Sequence, residues 1–300
     1  MSSINVDEVF PFTPGVTTVN VNGVVTKKET NKPLILWAGV TQGSVGAGTT
    51  IVGEEAMVAN TGNNNTSVGF GAARTNTSGT NNLAVGHQSL YENTTGSGNT
   101  ALGKDALFGS LTGDNNTAVG QQALYVCKGT ENVSVGQSSG LLITTGSYNV
   151  IVGTSSGATI TTGNNNICIG DDTQTATATT SNSITLGNLT HNILRCAVTT
   201  ITSLSDARDK TNVQESAYGL DLVKSLKPVT FEWDTRDGAK KGDKDLGFIA
   251  QDLQSVDDEY LGLVYAENPE RLEASYGRLI PVLVKAIQEL TAKVEALENK

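Results

Sequence analysis

The hexapeptide Asn115-Asn116-Thr117-Ala118-Val119-Gly120 is one copy of a pattern that recurs along the chain. A large aliphatic residue followed by glycine returns at glycines 53, 69, 86, 103, 120, 136, 153, 170 and 187, at spacings of 16, 17, 17, 17, 16, 17, 17 and 17. The aliphatics are Val52, Val68, Val85, Leu102, Val119, Val135, Val152, Ile169 and Leu186. Two residues before the glycine the side chain is usually small, as at Ser67, Ala84, Ala101, Ala118, Ser134 and Cys168. An asparagine stands four before it, at Asn65, Asn82, Asn99, Asn116, Asn132, Asn149 and Asn166. A second glycine follows nine or ten residues later, at 62, 79, 96, 113, 129, 146 and 163. A disordered Asn/Thr/Gly tract shares this composition but does not hold an aliphatic at every register position.

Such a pattern predicts a β-solenoid. Alternating aliphatic and small residues make a short strand with one buried face, and the glycines and asparagines are expected at positive-φ corners. One unit cannot bury its aliphatic face alone, whereas stacked units share a continuous core. Eight intervals at the ~4.8 Å strand spacing give a rod of roughly 40 Å. A coil of about 17 residues encloses little volume, so three chains side by side are expected, with the small residues at close approach. The turns carry few aspartates, which speaks against a calcium-binding β-roll. The Asn-x-Ser/Thr triplets, Asn76 and Asn93 among them, read as composition and not as glycan sites.

Charge divides the chain in two. Residues 1–204 hold 11 acidic and 7 basic residues, about 9% charged, while residues 205–300 hold 19 and 13, about a third. Three regions are expected: 1–49 as an attachment or cap region, 50–204 as the repeat fibre, and 205–300 as a separate α+β domain. Within the first, TVNVNGVVT (residues 18–26) alternates around Asn22-Gly23, a type I′ hairpin signal, and KPLILWAGV (32–40) reads as one more strand. The net charge of −10 argues against nucleic acid as a partner. Cys127, Cys168 and Cys196 are too far apart for a disulfide framework or a metal cluster, and neither a metal nor a cofactor is expected. The opening MSSINVDEVF lacks a basic n-region and an apolar run, so no secretory signal is expected.

In the last third, Ser205 stands five residues before Lys210 in SDARDKTNV. By itself this spacing means little and reads as an N-capping serine in a charged loop. YGLDLVKSLKPVTFEWD (218–234) predicts a short helix stopped by Pro228 and then a strand. GFIAQDL (247–253) predicts a strand running into a helix. Tyr276, Ile280, Leu283, Ile287, Leu290, Val294 and Leu297 are spaced 4, 3, 4, 3, 4, 3, a heptad seam compatible with a three-stranded coiled coil. The alternative is a single amphipathic helix packed on its own domain. Pro281 places the helix start near itself.

The repeat units resemble the head repeats of trimeric autotransporter adhesins and similar repeats in phage tail fibres. The resemblance rests on Asn-x-Ala/Ser-Val-Gly and covers roughly residues 50–187, with a coil longer than that of the adhesin head. SDARDK with Asn212, LKPVTFEW, GFIAQDL and YGRLIPVLVKAIQEL resemble, in order, the C-terminal intramolecular chaperone domain of phage tail spikes and fibres, the endosialidase-type self-cleaving peptidase family. That resemblance implies a mainly β, trimeric β-solenoid followed by a small α+β chaperone domain ending in a coiled-coil helix. It further implies that the domain trimerises the chain, guides its folding and is then cut off at the Leu204–Ser205 bond. Ser205 and Lys210 would be the catalytic pair of a single-turnover serine peptidase acting only on itself. Lysine serves as base for a serine once it is neutral; Arg208 would orient the site or stabilise negative charge, and Asp206 and Asp209 would position Lys210.

The function this implies is a structural phage tail fibre or appendage of the virion, assembled in the host cytoplasm. Its partners would be two further copies, virion tail or baseplate proteins at the N-terminal region, and a host-surface receptor of glycan type. Two other readings stand beside it. A cell-surface trimeric adhesin would need a signal and a membrane anchor. A glycan-degrading tail spike would need paired carboxylates, whereas Glu92, Asp105, Asp114 and Asp171-Asp172 are scattered out of phase with the repeat. His87, Tyr91, Tyr125 and Tyr148 are the aromatic candidates for receptor contact.

Overall fold

The computed structural model describes residues 18–21, 24–27, 34–36, 46–188, 190–191, 194–195, 205–236, 238 and 240–300. The chain divides into two compact units, Met1–Asn188 and Leu189–Lys300. The expected boundary at residue 204 lies in a stretch that is mostly outside the described residues. Among the described residues no helix is long and apolar enough to cross a membrane.

In the first unit, β1 (Thr18–Val21) and β2 (Val24–Lys27) pair antiparallel with Val21 opposite Val24. Such pairing flanks the expected Asn22-Gly23 turn, which itself lies outside the described residues. There follow β3 (Leu34–Leu36), β4 (Thr50–Val52), β5 (Thr66–Val68), β6 (Leu83–Val85), β7 (Thr100–Leu102), β8 (Thr117–Val119), β9 (Val133–Val135), β10 (Val150–Val152), β11 (Ile167–Ile169) and β12 (Ile184–Leu186). These ten form one parallel sheet in strict chain order. Register is kept coil to coil, as in Thr100↔Thr117, Ala101↔Ala118 and Leu102↔Val119. Each coil therefore contributes one three-residue strand and closes the rest of its circuit with turns.

The direction of the strand side chains differs from expectation. The small residue at the middle of each strand points inward: Ser67, Ala84, Ala101, Ala118, Ser134 and Cys168 are fully buried. The aliphatic before the glycine points outward, and Leu102, Val135, Val152 and Ile169 are exposed. The physical reason is the narrow coil. Its interior is already occupied by a column of larger side chains, Met57, Leu90, Leu107 and Leu124, all fully or almost fully buried, so only small residues fit opposite them on most strands. These core residues have φ of 47° to 52°, an arrangement that costs each a left-handed backbone.

Two further assignments change in the same way. The registered glycines do take a positive φ, between 133° and 138° from Gly53 to Gly170. The second glycines do not; they are required by close approach, since a Cβ on Gly62 would lie 1.9 Å from the Gly79 carbonyl oxygen. Positive φ at that corner falls on the residue before the recurring asparagine, at Asn64, Asn81, Asn115 and Asn165. The recurring asparagines turn inward instead and form a buried amide ladder. Asn82 N–H donates to Asn65 Oδ1 (2.9 Å), Asn99 N–H to Asn82 Oδ1 (2.9 Å) and Asn116 N–H to Asn99 Oδ1 (2.9 Å). From Asn65 to Asn149 each amide nitrogen donates across to a second-glycine carbonyl, as Asn99 Nδ2 does to Gly113 (2.7 Å), and Asn166 Nδ2 donates to the Thr180 carbonyl in the same place. Every coil thus pairs polar atoms that no water reaches, at about 1 kcal/mol net per bond.

In the second unit, α1 (Leu220–Ser225) precedes an antiparallel pair, β13 (Val229–Asp234) and β14 (Lys241–Gly247). After α2 (Ala250–Gln254) a two-residue pair, β15 (Val264–Tyr265) and β16 (Glu273–Ala274), leads to α3 (Leu279–Glu298). The helix starts two residues before Pro281, whose missing N–H falls in the first turn where it has no helical partner to lose. Leu253, Leu261, Leu263, Leu279 and Val282 form the core, with Tyr218, Leu222 and Phe248 packed on it. The Glu289 carboxylate accepts from the first amide of α1, Leu220 N–H (2.8 Å). A side chain at residue 219 would meet that carboxylate at 2.6 Å and push it off the Leu220 amide.

Substituting Gly103 by alanine is expected to lower solenoid stability by about 3 kcal/mol or more, because a Cβ there meets the Gly120 carbonyl oxygen at 2.6 Å as well as an unfavourable φ. Gly238→Ala, at positive φ in open space, is expected to cost about 1 kcal/mol. Thermal unfolding of the two variants beside the parent checks the difference.

Candidate functional site

Ser205 to Lys210 form one exposed turn at the start of the described part of the second unit. Asp206 is its capping residue: its carboxylate accepts from Arg208 N–H at 2.9 Å and closes a single 3₁₀ turn over Ala207–Asp209. The alternative role for Ser205, an N-cap, is therefore taken by its neighbour. The Ser205 hydroxyl is left for another partner, and Lys210 Nζ donates to Ser205 Oγ at 2.7 Å and to the Ser205 carbonyl oxygen at 3.2 Å. One 3₁₀ turn brings residues five apart together in this way, with Lys210 returning to extended backbone.

The other charged groups are arranged around this pair and not on it. The Arg208 guanidinium is forked onto Asp206, with Nη2 2.6 Å and Nε 3.1 Å from Oδ2. The Arg208 hydrogen bonds hold the Asp206 carboxyl below the ordinary carboxylate range. Asp206 is thus engaged by arginine instead of lysine, and Asp209 is exposed at the end of the turn. Asn212, two residues on, has φ of 53°, a left-handed position that asparagine tolerates well. Leu204 lies outside the described residues.

The α3 seam is the second feature of this unit. Leu279, Val282 and Ala286 face the core and are buried. Tyr276, in the turn before the helix, packs its ring on Phe248 and accepts from Phe248 N–H at 3.2 Å. The expected seam residues within the helix are instead on the open side, opposite the core, from Ile280 (65% exposed) through Leu283, Ile287, Leu290 and Val294 to Leu297 (68%). Val284, outside the heptad reading, is 51% exposed beside them. A helix serving only its own domain would turn those residues inward. Hydropathy spacing alone misses Val284, because it falls between the positions the seam counts.

A cavity of about 1130 Å³, lined in part by Phe231, Trp233, Phe248 and Tyr276, also opens on this unit, and neither Ser205 nor Lys210 lines it. Among the described residues no three His, Cys, Asp or Glu side chains gather where a metal could bind.

On the solenoid the expected aromatic contacts are already engaged. Tyr91, Phe108 and Tyr125 stack on one another at 5.1 and 5.2 Å, and His87 stacks on Phe70 at 5.5 Å. Tyr91 carries Arg74 on its ring as well. Rings stacked along the coil axis have faces occupied by their neighbours, so they present edges to solvent. Tyr148 is exposed. Of the scattered acids, Asp105 is paired with Lys104 at 3.0 Å and Asp114 accepts from Ser97 N–H at 2.7 Å; both serve the coil.

With this geometry established, residues 205–262 match the family described as the chaperone of endosialidase, Peptidase_S74. The match begins at Ser205 itself and takes in the dyad, β13, β14 and α2, ending before α3. Comparison with curated proteins and with solved structures returned no match.

Burial raises the thiols of Cys127 and Cys168 to about 11, so at pH 8 about one molecule in a thousand carries either thiolate. Both are expected to resist iodoacetamide in the native protein and to react on unfolding, read by peptide mass mapping.

Proposed function

We propose that this chain is a self-processing phage tail fibre protein, with residues 1–204 as the mature fibre and 205–300 as an intramolecular chaperone that cuts itself off at Leu204–Ser205. The observation that carries the reading is the 2.7 Å contact between Lys210 Nζ and Ser205 Oγ, located at the residue where the endosialidase-chaperone match begins. The chemistry follows from that pair. Lys210, once neutral, takes the hydroxyl proton, and Ser205 Oγ attacks the Leu204 carbonyl carbon through a five-membered ring. The new C–O bond forms as the Leu204–Ser205 C–N bond breaks, and the proton passes to the departing Ser205 nitrogen. Water then hydrolyses the ester, leaving a carboxylate on Leu204 and the free hydroxyl and amine of Ser205. Arg208, held by Asp206, would orient the site or supply positive charge to the developing oxyanion.

Both members of the dyad are exposed to solvent in a single chain. Desolvation on assembly is what turns this contact into a base and a nucleophile, which makes cleavage follow association. The open α3 seam supplies the association. Branched residues at Ile280, Ile287 and Val294 alternating with leucines are by themselves a two-stranded pattern; the exposed Val284 widens the apolar face beyond that seam, which supports a third strand. Along the solenoid the outward column from Leu102 to Leu186 is a second apolar face for the same partners. A solenoid has many registers one coil apart, and joining the chains at one end selects one of them. The N-terminal region attaches to other tail or baseplate proteins of the virion, and the fibre meets a host-surface glycan.

Intact mass of the purified protein is expected to show a product short of its last 96 residues, whose net charge falls from −10 to −4. Ser205→Ala and Lys210→Ala are each expected to stay full length while keeping the trimer mass in solution; a normally shortened Ser205→Ala product overturns the mechanism. The double substitution Ile287→Asp, Leu290→Asp is expected to give monomers that are not cleaved. Trimers of that variant would remove the seam from the assembly.

A further inference from the structure

Seven residues after each registered glycine the coil turns a corner inward, at Asn60, Asn76, Asn93, Ser110, Cys127, Ile143 and Ile160, and all seven side chains are buried. The first three form a second amide column, distinct from the ladder of recurring asparagines. Asn76 Nδ2 donates to Asn60 Oδ1 at 2.6 Å and to the Gly79 carbonyl at 3.0 Å. Asn93 Nδ2 donates to Asn76 Oδ1 at 2.6 Å and to the Gly96 carbonyl at 3.0 Å. Each amide oxygen is thus satisfied by the side chain one coil further on, until the column reaches Ser110.

There the relay stops. Asn93 Oδ1 and Ser110 Oγ are both fully buried and neither has a hydrogen-bond partner. A serine hydroxyl is shorter than a carboxamide and does not span one coil. Cys127 does not complete the column either: its thiol donates to the Gly129 carbonyl at 3.8 Å and accepts from Asn132 Nδ2 at 3.5 Å. Beyond it the corner is isoleucine. The surroundings of the break are polar and come close to the backbone. A Cβ on Gly96 would lie 2.4 Å from Asn93 Oδ1 and 3.1 Å from Asn99 Nδ2, and one on Gly113 would lie 3.2 Å from Ser110 Oγ. Asn99 Nδ2 uses one hydrogen on the Gly113 carbonyl at 2.7 Å, so its second is available.

We propose that the solenoid holds an internal hydration site at this break, taking a single water between Asn93 and Ser110. The water donates to Asn93 Oδ1, accepts from the Ser110 hydroxyl and has the second Asn99 amide hydrogen as a further donor. Three polar partners are the number buried waters typically have, and a hydroxyl in place of a carboxamide frees roughly the volume of one water, about 30 Å³ in the liquid. The site is where the core corner changes from a polar column to an apolar one, and the water closes the open end of the polar half.

An atomic-resolution crystal structure of the full chain and of its Ser110→Asn variant tests this. In the parent, one ordered peak is expected within hydrogen-bond distance of both Asn93 Oδ1 and Ser110 Oγ. In Ser110→Asn the peak is expected to be replaced by the new amide donating to Asn93 Oδ1, with the unfolding midpoint of the solenoid raised by about 2–4 °C. Ser110→Ala is expected to lower the midpoint. A parent structure with no peak, or with the Ser110 hydroxyl bonded directly to Asn93 Oδ1, overturns the proposal. So does a Ser110→Asn protein whose new amide points away from Asn93 and whose midpoint does not rise.

Discussion

Everything in the first unit depends on coils stacking at one strand spacing with like residues above like. At that spacing a buried asparagine can hand its amide oxygen to the backbone of the coil above and its nitrogen to a glycine carbonyl, and the same is possible in the next coil only if the register is unchanged. An insertion inside the strand-proximal half would leave several buried amides unpaired at once, at about 1–3 kcal/mol each. The 16-residue coil between Gly120 and Gly136 obeys this constraint, since the ladder continues across it, with Asn132 N–H donating to Asn116 Oδ1 at 3.0 Å.

The same narrowness that makes the ladder possible leaves an apolar column on the outside of the solenoid. A coil this small fills its interior with one leucine-sized residue and one small strand residue, so the second aliphatic of each unit has nowhere to go but outward. The C-terminal helix repeats the situation in a different fold, with three buried residues on its own core and an apolar row on the far side. Two unrelated elements with unpartnered apolar faces in one chain are the physical argument for association. Lys210 Nζ and Ser205 Oγ are already in contact in the single chain.

Much of this was legible in the residues. The period, the parallel strands, the hairpin around Asn22-Gly23, the short helix before Pro228 and the Ser205–Lys210 pair all follow from spacing, turn chemistry or resemblance. What was not legible was direction. Alternation of aliphatic and small residues says that a strand has two faces but not which one is inside, and hydrophobicity by itself chose the wrong one. The recurring asparagines were likewise assigned to corners, because asparagine favours positive φ, when the residue before each takes that role and the asparagine turns inward.

Sequence alone therefore determined the coil length and the strand order, since each depends on short-range spacing and on backbone limits that glycine and proline impose. Tertiary structure decided the inside from the outside, the role of the asparagines, the capping of the dyad turn by Asp206 and the open side of α3. The reason is that burial is a property of the closed coil. Only when seventeen residues have been bent into a circuit is it settled how much volume lies within, and the leucines with left-handed backbones had filled it already.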